Sequence, residues 1–209
     1  ARTLIAIASK TVTTTETMLN AASALEWMRD NGVEDPYGRV VALTASPEKA
    51  VEWGVDETRV LPFAETVGGR YSIWSTIGFP VAMALGMEAF DAFLKGAAAM
   101  DRHFRDTPAA ANIPLRAAFV DLYYAQVAGC QTRAIFAYDE RLRLLPDYLQ
   151  QLEMESNGKS VKADGSALER PSAAIGWGGV GTDAQHAVFQ LLHEGTHVVP
   201  VEFIAARQP

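Results

Sequence analysis

The stretch Thr3-Leu4-Ile5-Ala6-Ile7-Ala8-Ser9-Lys10-Thr11-Val12-Thr13-Thr14-Thr15-Glu16-Thr17 decides the fold. Its first part, Thr3 to Ser9, is apolar and β-branched and has the length of a buried strand. A Thr-rich turn follows. Beyond it Glu16 to Arg29 reads as a helix, because Met18, Leu19, Ala22, Leu25 and Met28 recur at helical spacing. The pattern then repeats. Arg39 to Thr44 is a second strand, Pro47 opens a short helix in the favoured first-turn position, and Arg59 to Phe63 is a third strand. Alternating β and α predicts a mainly parallel sheet with covering helices. The right-handed crossover rule then places Ser9 to Thr14 between a strand's carboxyl end and a helix start.

Further along, Ser75 to Asp106 reads as two helices breaking near Gly86, and Asn112 to Ala128 as another, stopped by Gly129. Gln131 to Ala137 is a strand, and Arg141 to Leu152 is helical after an early Pro146. Gly158 to Pro171 is polar and reads as loop, and Ala173 to Ile175 is a short strand candidate. Asp183 to His193 is a helix and His197 to Ala205 a final strand. There is no internal repeat and no low-complexity segment. The β/α rhythm occurs twice, so the expected fold class is α/β, with parts of two doubly wound units. Their boundary falls near the helical stretch and is drawn so that 1–85 and 86–209 belong to different units.

Of the 209 residues, 49% are hydrophobic and 21% charged, which suits a chain that buries a core and excludes disorder. The net charge of −7 argues against nucleic acid as the main partner, because phosphate neutralisation needs a basic face. A small phosphate ligand needs only a local cradle. The single cysteine, Cys130, makes no internal disulfide, which suits a reducing, cytoplasmic setting. Apolar runs such as Leu4 to Ala8 fall far below the roughly 20 residues of a membrane span, so no membrane partner is expected. Arg2 is followed by a strand-like run and not by a signal peptide. The ends, Ala1 and Pro209, read as those of a fragment cut from a longer chain, or of a protein freed from a tag.

Four segments carry possible chemistry. Ser9 to Thr14 could offer hydroxyls, the Lys10 charge and helix N–H groups to a phosphate, or could be an ordinary helix cap. Glu65-Thr66-Val67-Gly68-Gly69-Arg70-Tyr71-Ser72 pairs glycines, which let backbone approach a ligand, with a fixed cation; a tight turn with a surface arginine is the alternative. Met154-Glu155-Ser156-Asn157-Gly158-Lys159 sets a carboxylate beside a helix stop, as a general base or as nothing more than that stop. Gly181-Thr182-Asp183-Ala184-Gln185-His186 leads into a helix with His193. His186 could serve as an acid–base group and His193 as a packing or capping residue. Seven-residue spacing does not suit a metal, and none is expected.

In this order the four segments resemble the phosphoglucose isomerase family. Gly68 to Gly78, Gly-Gly-Arg-Tyr-Ser-Ile-Trp-Ser-Thr-Ile-Gly, is similar to one of its two signatures. Ser9 to Thr17 resembles its phosphate-binding turn, Gln150 to Lys159 the segment bearing its catalytic base, and Gly181 to Gln190 with His193 its histidine helix. The resemblance spans the chain. The family's upstream Gly-Ser phosphate loop and its downstream signature with a catalytic lysine have no counterpart here. Asp183-Ala184 stands where Asn-Gly is usual, and Thr15 where a Gln is common.

The resemblance implies sugar-isomerase (SIS-type) domains and reversible interconversion of glucose 6-phosphate and fructose 6-phosphate. It implies Glu155 as the base, Arg70 as the stabiliser of an enediolate, and His186 as the ring-opening group. Ser9, Lys10, Thr11 and Thr14 would hold the phosphate, with Gly69 and Gln151 near the sugar. No cofactor is implied, since the proton shuttles directly. A homodimer is implied, with the histidine helix serving the partner's site. The competing readings are an isomerase that also accepts mannose 6-phosphate and a non-catalytic sugar-phosphate-binding module.

Overall fold

The computed structural model describes residues 3–207; the readings that touch Ala1, Arg2 and Pro209 lie outside them. These residues form two compact units that divide between Ala99 and Met100.

In the first unit β1 (Ile5–Ala8), α1 (Thr15–Asp30), β2 (Val40–Thr44), α2 (Pro47–Trp53) and β3 (Val60–Pro62) alternate. The sheet is parallel, in the order β1-β2-β3, with Ile5 opposite Val40 and Ala42 opposite Val60. Every residue of β2 is buried, as expected for the central strand of a covered parallel sheet. Ile7, Val40 and Ala42 point to one face, where Ala21 and Leu25 of α1 and Ala50 of α2 close on them with Val55. The sheet grows in one direction, so right-handed crossovers put both helices on that face. After β3 come short 3-10 turns, Gly69–Trp74 and Thr76–Gly78, then α3 (Phe79–Leu85) and α4 (Met87–Asp106), separated at Gly86. α4 runs across the division between the units.

The second unit continues with α5 (Ile113–Leu122), which widens into a π-helical turn, Tyr123–Val127. β4 (Thr132–Ala137), α6 (Leu145–Gln150), a second π turn (Gln151–Glu155), β5 (Ile175–Val180), α7 (Gly181–Glu194) and β6 (Val201–Ile204) follow. The sheet is again parallel, in the order β5-β4-β6. Here the order reverses about β4, so α6 and α7 cover opposite faces. Gly176, with its side-chain direction toward Gln150 of α6, and Gly179, which faces Ala184 of α7, differ by an odd step along β5 and so lie on opposite faces. Fully buried Phe136 anchors the α7 face, its ring 4.8 Å from Phe189 and 6.1 Å from Trp177.

Three expectations need correction. The strand expected at Ala173–Ile175 is Ile175–Val180, half of it glycine and therefore poor in strand-like composition. Gly178 has φ 151°, and a Cβ there would collide with the carbonyl oxygen of Ile135 on β4. The glycine thus serves close strand packing and not a loop. The helix expected over Arg141–Leu152 is a 3-10 turn (Glu140–Leu142), then α6, then a π turn, because Pro146 fits only a first helical turn. The final strand begins at Val201, after Pro200, whose carbonyl accepts from the Ala134 N–H.

Candidate active site

Ser9 to Thr14 occupies the gap between the carboxyl end of β1 and the start of α1, as expected. Ser9 is buried; its N–H donates to Leu43 O at 3.1 Å and its Oγ accepts from the Val12 N–H at 3.1 Å. That bond helps hold Val12 at φ 55°, in the left-handed region that β-branched residues avoid. Such a residue costs about 1–3 kcal/mol and persists only where its surroundings over-determine it. Lys10, Thr11 and Thr14 are exposed. Thr14 is the N-cap of α1, yet its side chain makes no capping bond, and Thr11 and Thr13 share a 2.6 Å hydroxyl contact. The capping alternative is therefore not how this turn uses its hydroxyls. The free first-turn N–H groups of α1 and the exposed Lys10 form a concentration of donors at the mouth of the sheet.

The Gly-Gly-Arg segment reaches the same place. A Cβ on Gly68 would sit 3.3 Å from Lys10 Nζ, so the glycine makes room for the lysine. Gly69 has φ 57°, and its carbonyl accepts from Ser72 Oγ at 2.6 Å, which tightens the 3-10 turn carrying half-buried Arg70. Thr76 Oγ1 donates to Leu61 O and Pro62 O at 3.3 and 3.2 Å and ties the signature to the end of β3. Within the first unit, then, Lys10 and the glycine turn bearing Arg70 are neighbours.

In the second unit Gln151 and Glu155 bound the π turn that ends α6. Such turns interrupt helices, often at functional sites. Met154 Sδ accepts from the Gly176 N–H at 3.4 Å, so the turn sits beside the start of β5. Glu155 is exposed; Lys159 Nζ donates to its backbone carbonyl at 2.6 Å, and the Gly158 N–H closes the helix on Met154 O. His186 is exposed on α7, just past the other end of β5. Gln185 beside it donates to the Tyr138 hydroxyl at 2.8 Å. His193 packs near the Phe189 ring, 6.2 Å between centroids. Strand β5 spans about 17 Å at its per-residue rise. Glu155 and His186 thus lie at opposite ends of one strand, on helices covering opposite faces. Within this unit they do not converge on one point.

Two residues escaped sequence reading. Arg133, at the start of β4, meets Asp121 of α5, Glu153 of the π turn at 3.3 Å and Glu202 of β6 at 3.9 Å. Arg133, Asp121 and Glu153 edge an open cavity of about 340 Å³ that also touches Cys130, Asn157 and Ser172. Burial works against the Arg133 charge, but the bond with Asp121 and the surrounding carboxylates outweigh it and push its pKa up. Burial also pushes the Glu153 carboxyl up, against the pull of Arg133. An arginine inside the apolar run Thr132 to Ala137 was the available signal. The second is Thr44, a buried hydroxyl closing β2. Among the described residues no cluster of His, Cys, Asp or Glu could hold a metal, and no helix is long and apolar enough to cross a membrane.

Fold and turns define a parallel α/β protein of two sheets, each with strand-to-helix connections at its carboxyl edge. The chain belongs to the phosphoglucose isomerase family, whose model matches residues 1–209. It is 78% identical over 207 residues to a glucose-6-phosphate isomerase of Novosphingobium aromaticivorans, covering 99% of this chain and 41% of that protein. The isomerase of Zymomonas mobilis is 68% identical over 205 residues, 98% of this chain and 40% of the relative. The crystal structure of a glucose-6-phosphate isomerase from Chlamydia trachomatis superposes with a TM-score of 0.87 at 35% identity, covering 97% of this chain and 39% of that one. The chain thus spans about two fifths of the length of the curated relatives it matches.

Proposed function

We propose that the protein containing this chain interconverts glucose 6-phosphate and fructose 6-phosphate. The observation that carries this reading is the placement of Lys10 against the Gly68-Gly69-Arg70 turn, at the carboxyl end of a parallel sheet. A phosphate held by Ser9, Lys10, Thr11 and Thr14, with the uncapped N-terminus of α1 behind them, would be anchored there. Buried Ser9 acts mainly through the turn it staples. Remote phosphate binding then positions the reacting carbons of the open sugar, with Gly69 and Gln151 near its hydroxyls.

Glu155 takes the proton from one carbon and returns it to the neighbouring one. The pair of electrons left behind becomes an enediolate, whose charge Arg70 stabilises; a placed cation of this kind is often the largest catalytic contribution. His186 protonates the ring oxygen as the cyclic sugar opens. One proton passes between the two carbons and one hydroxyl proton passes between their oxygens, with no net change of oxidation state, so the reaction needs no cofactor. Because Glu155 and His186 are displaced to opposite ends of β5, a site using both calls on two copies of the chain, which supports a homodimer. We assign the two units to parts of two sugar-isomerase domains. A sugar phosphate substrate and the lone buried Cys130 fit a cytoplasmic setting.

The test is Glu155→Gln in the full-length protein. It keeps the size of the side chain and removes its basic charge. Isomerisation should fall by about 10²–10⁴-fold, the range for a lost acid–base group, while sugar-phosphate binding persists. A variant with near-normal turnover refutes the assignment. A wild-type protein that binds sugar phosphates without converting them would instead be a binding module. Turnover of mannose 6-phosphate would widen the substrate range.

A further inference from the structure

Thr44 is the last residue of β2 and is 1% exposed. A polar side chain in such a place must satisfy its hydroxyl internally. Thr44 Oγ1 donates to the Lys10 carbonyl at 3.0 Å and accepts from the Ser46 N–H at 3.0 Å. The same Lys10 carbonyl accepts a second bond, from the Ala45 N–H, at 3.1 Å. The Ser9 N–H is meanwhile held by Leu43 O, and Thr44 O accepts from the Phe63 N–H at 3.1 Å. One buried hydroxyl therefore joins the β1 turn to the start of α2, on a strand already locked to the end of β3. Nothing else on β2 is polar; Val40 to Leu43 are all apolar.

The backbone of Lys10 is what aims its ammonium past Gly68 and what sets up the strained Val12 beyond it. A strained turn relaxes unless both sides are held. We infer that Thr44 is a positioning residue for the phosphate-binding turn, fixing the Lys10 backbone without touching the ligand. This rests on the reading that the turn receives a phosphate. Thr44 lies in the first unit, remote in sequence from Glu155 and His186, so its loss should weaken phosphate anchoring and spare proton transfer.

The experiment uses the full-length enzyme and inorganic phosphate as a competitive inhibitor. In Thr44→Val the shape stays and the hydroxyl goes. KM for fructose 6-phosphate and the inhibition constant for phosphate should rise together, about three- to tenfold, the effect of one lost hydrogen bond. The kcat should fall by less than KM rises, because the loosened turn weakens anchoring more than it misplaces the reacting carbons. Thr44→Ser restores the hydroxyl and should return both constants to wild type. If Thr44→Val does not fold, Thr44→Cys against Thr44→Ser makes the same comparison at nearly equal shape, with Cys expected to be weaker. Equal phosphate constants for Cys and Ser, or for Val and wild type, overturn the proposal, as does a fall in kcat with KM unchanged. Lys10→Met separates the two levels. If it leaves the phosphate constant unchanged, the turn is not the phosphate site, and that reading falls together with the proposal.

Discussion

At Arg133 a single guanidinium serves three carboxylates. Its side chain is 15% exposed, whereas Asp121, Glu153 and Glu202 are 41%, 25% and 55% exposed. Removing the cation would leave partly buried negative charge without compensation. Breaking a buried pair costs about 3–5 kcal/mol, and the exposure of these carboxylates reduces that. Arg133→Met should therefore destabilise the full-length protein by about 2 kcal/mol, read from urea midpoints at constant slope. Glu153→Gln should behave differently. Burial raises the Glu153 carboxyl in the folded state. A raised acid favours the folded state below its unfolded value, and that advantage is lost as pH rises through the folded one. At neutral pH the charged Glu153 thus pays desolvation that Gln escapes. Glu153→Gln should cost less than about 1 kcal/mol at pH 7 and more at pH 4. Equal losses for both variants at pH 7 would show that the cluster is held by shape and not by charge.

Among the elements, periodic ones were legible in the sequence and glycine-rich ones were not. α1 showed its face through Leu25 and Met28, and the observed span Thr15–Asp30 differs from the expected one by a residue at each end. β2 was legible because the apolar run Val40 to Leu43, closed by β-branched Thr44 and set between turns, fits little else. β5 was misplaced because the three glycines of Ile-Gly-Trp-Gly-Gly-Val dilute the strand signal of Ile175, Trp177 and Val180. Its glycines answer to a neighbour, since Gly178 lies against the Ile135 carbonyl, and contact with β4 is invisible along one chain. The turn Ser9 to Thr14 was located by the β-to-α switch alone. Its use of Thr44 was not legible, because that bond joins residues 34 apart. The π turn at Gln151–Glu155 was hidden for a similar reason: Met154 and Glu153 are held by β5 and Arg133. Gly178→Ala tests this account. A methyl group cannot occupy the position of a main-chain oxygen, so β5 must leave β4. The variant should lose more than about 3 kcal/mol or fail to accumulate as folded protein, measured by urea unfolding or by the soluble yield. Gly165→Ala, at a loop position with open space around its Cβ direction but φ 83°, should cost only about 1 kcal/mol.

On the scale of the whole molecule, the separation of Glu155 from His186 bears on the proposed dimer. Two groups at opposite ends of a strand, on opposite faces of a sheet, cannot attend the same few atoms of a sugar. If each site takes Glu155 from one copy and His186 from another, the two defects complement each other. A heterodimer of full-length Glu155→Gln and His186→Ala subunits contains one site with both lesions and one with neither. Random mixing makes half of the dimers heterodimers, so activity on cyclic glucose 6-phosphate should recover to about a quarter of wild type under two-fold symmetric assembly. Each parent homodimer should stay low. His186→Ala should be less impaired with a substrate already open, because its group acts before proton transfer. Recovery near a quarter, appearing only after subunits exchange, is the expected result. Mixed dimers proven by differently tagged subunits, yet no more active than the average of the parents, would mean that both groups serve a site within one chain. The separation of the two groups along β5 would then not reflect sharing between subunits.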